Sequence, residues 1–65
     1  MRKGKVKSYS SAAGEGVIKP DDRSADVFFL GTVVQGGGVP TDGAAVEYEL
    51  RPGGGEPRAQ KVVLL

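Results

Sequence analysis

The sequence contains neither cysteine nor histidine. The first absence excludes disulfide staples and thiolate–zinc sites. The second removes the commonest metal ligand and the usual general base near neutral pH. Tryptophan is missing too, and 65 residues hold only two tyrosines and two phenylalanines. No apolar run approaches the roughly 20 residues that span a bilayer, and no apolar signal-type segment follows the basic N-terminus. These absences predict a single cytoplasmic domain over residues 1–65, with no cofactor, no metal and no enzymatic machinery. A chain of this length buries only about 60% of the surface its unfolded form exposes. Stability of only a few kcal/mol is therefore expected.

What the chain does have is glycine, in eleven places, and an uneven distribution of charge. The net charge is only +1. Residues 1–19 carry five cations against Glu15, a local charge of +4, whereas residues 20–65 carry four cations against seven anions, or −3. A basic end of this kind is either a phosphate-facing strip or an ordinary solvated strand face.

No window repeats apolar residues at helical spacing, and short alternating runs between turn signals predict an all-β domain. Lys3 to Tyr9 places Lys3, Lys5 and Lys7 on one side with Val6 opposite. Gly16 to Lys19 is a second run, closed by the turn PDDRS, and Asp26 to Leu30 is a third, rich in strand-forming residues. Ala45 to Arg51 alternates, with Val46, Tyr48 and Leu50 on one face, and Arg58 to Leu65 is the fifth. Residues 31–44 and 51–57 each contain a triple glycine and are expected to be mobile, and the first is too glycine-rich for a stable helix. Five short strands with one long loop between the third and fourth predict a five-stranded antiparallel Greek-key barrel of the OB-fold type.

The order of motifs resembles the bacterial cold-shock proteins over nearly the whole chain. The matching pieces are GKVK at 4–7, the G-x-G-x-I frame of GEGVI at 14–18, PDD at 20–22, DVF at 26–28, and Pro57-x-Ala59-x-x-Val62. Each is weak alone; five in order make a specific signature. The resemblance implies a barrel that binds single-stranded RNA or DNA, typically as an RNA chaperone. In that family bases stack on aromatics projecting from strands two and three, while lysines meet phosphates.

Strand parity locates the equivalent surface. If Ile18 faces the core, Gly16 does too, and Glu15 and Val17 face outward; if Val27 and Phe29 face the core, Phe28 and Leu30 face outward. The family pattern calls for aromatic or His side chains at positions 8, 9, 15, 17, 28, 30, 31 and 39. This chain keeps an aromatic at Tyr9 and Phe28 alone, with Ser8, Glu15, Val17, Leu30, Gly31 and Val39 elsewhere, and Ala13 in place of a lysine. Losing three stacking partners at roughly 1–3 kcal/mol each would cost about 3–9 kcal/mol.

The expected function is thus a divergent cold-shock-domain protein that binds single-stranded RNA or DNA weakly, as an RNA chaperone or regulator. Lys5, Lys7, Lys19 and Arg58 are expected to attract the backbone, and Tyr9 and Phe28 to offer stacking. Val17, Leu30 and Asp26 lie on or beside the same face, Asp26 matching a family aspartate there. Simple solubility accounts equally well for the lysines, and shielding of the barrel for the two rings. The alternative is a protein-interaction or self-associating module, suggested by the exchange of aromatics for Val17, Leu30 and Val39 and by the phosphate-repelling Glu15. A monomer is expected, with strand exchange through the 31–44 loop as the route to a dimer. Glu15 and Asp26 are no acid–base pair without a nucleophile, and Asp21 and Asp22 read as turn formers. Neither triple glycine is a P-loop, because no Lys-Ser/Thr and helix follow it.

Overall fold

Alternation of small aliphatic and polar residues produces strands wherever the sequence predicts them. The computed structural model describes all 65 residues. Its strands are β1 (Arg2–Ser10), β2 (Glu15–Pro20), β3 (Val27–Leu30), β4 (Val34–Gln35), β5 (Ala45–Leu50) and β6 (Ala59–Leu64). They hydrogen-bond in the order β3-β2-β1-β5-β6-β4. The all-β OB-type barrel is as expected, but the strand count is six, because the 31–44 segment is not wholly loop. Gly31–Val33 form a 3₁₀ turn, and Val34 and Gln35 then pair in parallel with Val62 and Val63. The antiparallel expectation thus fails at this short pair, as it does at the isolated bridge described below. The reason lies in Val33-Val34, two β-branched residues that pack against the core and turn the backbone toward β6. No helix is long and apolar enough to cross a membrane.

The inner face is built from cross-strand rows. Val6, Ile18 and Val27 form one row across β1, β2 and β3, and Tyr9, Gly16 and Phe29 form the next. Between the two rows the β1–β2 register slips by one residue, so Lys7 is a β-bulge. A bulge leaves two successive residues on one side of the strand and reverses the parity beyond it. Lys7 and Ser8 both lie exposed, and Tyr9 turns inward. Gly16 is what makes room for the second row. A Cβ there would stand 2.7 Å from Phe29 Cζ and 2.7 Å from the Ser8 carbonyl oxygen.

Val46, Tyr48, Ala59 and Val62 complete the core from β5 and β6, and nothing polar is buried with them. The barrel closes where the Phe28 amide donates to the Pro57 carbonyl at 3.1 Å, beside a parallel bridge between Phe28 and Arg58. The glycine-rich 51–57 segment is therefore anchored at its far end to β3.

Two predictions follow from this packing. Gly16→Ala should cost about 1–3 kcal/mol through overpacking, read as a lower denaturation midpoint; an unchanged midpoint would refute the close approach. Burial pushes the Tyr48 phenol above its ordinary 10.0. The unfolded chain then ionises first, so stability holds below the unfolded value and falls as pH rises past about 10. Melting curves at increasing alkaline pH should show this loss, and Tyr48→Phe should flatten it.

Candidate nucleic-acid interface

The outer face of β1, β2 and β3 is assembled from the same registers as the core. Ser8 pairs with Val17, Val17 with Phe28, and Phe28 with Arg58, a row that crosses β1, β2 and β3 and ends on the residue just before β6. One step toward the β1–β2 turn lies the row Ser10, Glu15, Leu30. Glu15, Val17, Phe28 and Leu30 face outward as their parity predicts, while Gly16, Ile18, Val27 and Phe29 are buried. Phe28 is 44% exposed and Leu30 41%, high values for large apolar side chains; Val17 is half-buried between its neighbours.

These rows line a groove of about 350 Å³. Its outer wall is Val17, Phe28 and Leu30, and Tyr9 and Phe29 reach it from the core side. The Tyr9 ring stacks on the buried Phe29, with centroids 5.8 Å apart and planes at 12°. Its free surface for a further stack is correspondingly reduced, since one face is already occupied. The absence of a side chain at Gly31 is complementary to this pose, because a Cβ there would stand 2.5 Å from the Tyr9 hydroxyl oxygen.

Charge is distributed differently from the rings. Within the groove stand Glu15, Glu56 and Arg58, one cation against two carboxylates. The bulged Lys7 places its Nζ 2.9 Å from an Asp26 carboxylate oxygen, with both side chains well exposed. Lys5 reaches Asp21 at 3.4 Å, and Arg2 reaches Asp22 at 3.9 Å. The Asp22 carboxylate also accepts the Ser24 hydroxyl and amide, which hold its pKa below the usual carboxylate range. Lys19 has no acidic partner at ion-pairing distance and faces Lys5 across the β1–β2 ladder.

Of the residues expected from sequence, Tyr9, Val17, Phe28, Leu30 and Arg58 come together in the groove. Lys7 and Asp26 sit beside it as an ion pair. Lys5 and Lys19 lie apart, around a second, smaller hollow. Glu56 was not foreseen in the groove. It comes from a glycine-rich segment some 40 positions beyond Glu15, and only its position next to the Pro57 motif hinted that it would meet β3.

The comparisons with known proteins agree with this architecture. The family described as the 'Cold-shock' DNA-binding domain matches residues 2–65. The chain is 38% identical over 65 residues to the Cold shock-like protein CspE of Buchnera aphidicola, covering 97% of this chain and 94% of the relative. The identity and coverage are the same for the Cold shock-like protein CspC of Shigella flexneri. With the Cold shock protein of Arthrobacter globiformis it is 37% over 67 residues, covering 100% of both chains. The chain belongs to the cold-shock DNA-binding domain family, whose members are nucleic-acid-binding and not enzymatic.

The fit of Tyr9 over Gly31 is testable by a double-mutant cycle. Gly31→Ala should destabilise the wild-type chain by about 1–3 kcal/mol and weaken the contacts between the Tyr9 and Phe29 rings seen by NMR. In a Tyr9→Phe background, where the hydroxyl is gone, the same substitution should cost clearly less. Equal costs in the two backgrounds would contradict the fit.

Proposed function

We propose that the outer face of β1–β3 binds single-stranded RNA or DNA weakly, attracted mainly by charge and held by one principal stack, in an RNA-chaperone or regulatory role. The observation that carries this reading is the Ser8–Val17–Phe28–Arg58 row, which sets an exposed ring beside a guanidinium on an open groove. A base laid on Phe28 gains roughly 1–3 kcal/mol whatever its identity, because every base has a π-face. Val17 and Leu30 extend the apolar contact, and Arg58 meets the adjoining phosphate. Tyr9, committed on one side to Phe29, offers its remaining edge.

Lys7 must exchange Asp26 for a phosphate. That exchange is inexpensive, because an exposed ion pair contributes only about 0–1 kcal/mol. Asp26 thus holds the lysine in place beside the groove until a strand arrives. Lys5 and Lys19 add attraction at the far end of the strands. Glu15 and Glu56 oppose it, so the groove selects against a phosphate running directly through it. The geometry favours bases inward and the backbone along the Lys7 and Arg58 margins.

The second reading, a face for protein contact or self-association, is favoured by the same apolar trio of Val17, Phe28 and Leu30. It predicts association in light scattering that Phe28→Ala abolishes, and no oligonucleotide binding.

Fluorescence anisotropy with labelled oligo-T and oligo-U at low and moderate salt tests the primary reading. Affinity should fall with salt at a slope of about −0.7 per phosphate contacted. Phe28→Ala should weaken binding about 5- to 150-fold with that slope unchanged, and Glu15→Gln should tighten it. Absence of binding at low salt and near-millimolar protein would sink the proposal.

A further inference from the structure

The hollow at the opposite end of β1 and β2 has a composition of its own. Lys5 and Lys19 stand directly opposite each other in the ladder, an arrangement that destabilises an antiparallel pair. Arg23 joins them from the turn after β2, and with Pro20 and Asp21 the three line an open space of about 260 Å³. Only Lys5 has a carboxylate there, Asp21 at 3.4 Å. Asp22 is engaged by Ser24 and Arg2, and Asp26 by Lys7. Three cations therefore share one acidic partner.

The backbone adds a second observation. Arg23 is the only non-glycine residue with positive φ, at 64°, a conformation that is costly for a residue bearing a Cβ. The turn fixes it there, the Arg23 amide donating to the Pro20 carbonyl at 3.2 Å. Glycine would take this conformation without strain. Strain and crowded like charge meeting in one hollow form the pattern of a site kept for a ligand at the expense of stability.

We propose that Lys5, Lys19 and Arg23 form a phosphate subsite, separate from the groove, that takes a phosphodiester of the strand whose base lies on Phe28. An anion there relieves the Lys5–Lys19 repulsion, and Arg23 offers the planar donor pair suited to phosphate oxygens. The reach is short. Lys19 lies two residues along β2 from Val17, about 6–7 Å, and Val17 is the cross-strand partner of Phe28. The choice of a nucleic-acid phosphate as ligand rests on the function proposed for the face; the anion chemistry of the hollow does not.

The test is an NMR titration of the full chain with sodium pyrophosphate at constant ionic strength, followed by one with oligo-T. Pyrophosphate should shift the amides of Lys5, Lys19 and Arg23 while leaving Arg51, Lys61 and Phe28 in place. Arg23→Ala, which keeps the strained backbone and removes the guanidinium, should lose the effect. It should also weaken oligo-T binding about threefold at low salt, the scale of one exposed charge contact, and make the salt slope about 0.7 shallower. Arg23→Gly should lose the effect equally and melt at a higher temperature than wild type. Equal pyrophosphate shifts at Arg51 and Lys61, no shifts at all, or an Arg23→Ala chain that behaves as wild type would overturn the subsite. An Arg23→Gly chain no more stable than wild type would overturn the trade of stability for binding. Failure of the face reads differently: oligo-T would leave Val17, Phe28 and Leu30 unmoved while the pyrophosphate response persisted.

Discussion

The bulge at Lys7 is the constraint on which the rest of this structure depends. It puts Lys7 and Ser8 on the outside in succession and turns Tyr9 inward onto Phe29. The inward turn is tolerated because Gly16 and Gly31 have no side chains where the two rings lie. The outward pair does the opposite work. Lys7 reaches Asp26 at the margin of the groove, and Ser8 opens the row that ends at Phe28 and Arg58. One extra residue in one strand thus separates the ring that supports the barrel from the ring that faces solvent.

The same separation explains how the proposed binding face can be sparse in rings while the barrel stays intact. The barrel needs its inner rows, and those are filled by Val6, Ile18, Val27, Phe29, Val46, Tyr48, Ala59 and Val62. Nothing in the packing demands aromatic rings at Glu15, Val17 or Leu30, which point away from that core. Stacking capacity can be lost there at little cost to the fold. In the proposed function, charge then carries a larger share of the affinity for a strand, and the exposed ion pairs of Lys5 and Lys7 are weak enough to yield to phosphates.

Much of the fold was legible in the sequence because it rests on period-two alternation, which a single chain displays openly. The outward set of Glu15, Val17, Phe28 and Leu30 follows from that alternation alone. What escaped depends on register or distance. Strict alternation from Lys3 through Lys7 would carry Tyr9 outward; the bulge that reverses it has no local sequence signal, since Lys-Ser-Tyr is an ordinary strand segment. β4 is two residues long; Val33-Val34 suits a strand, but its parallel partner, the Val62–Val63 edge, is a distant segment that no local pattern names. Glu56 enters the groove through the closure of Pro57 on Phe28, a contact between distant segments. Arg23 shows its strain only as a backbone angle.

The central claim is that the retained barrel presents a charge-led, single-ring binding face. Chemical-shift mapping with a short oligo-U at low and then moderate salt tests it most directly. The account predicts shifts concentrated at Lys7, Val17, Phe28 and Arg58 that fade together as salt rises. Shifts absent from that row, or undiminished by salt, would contradict it.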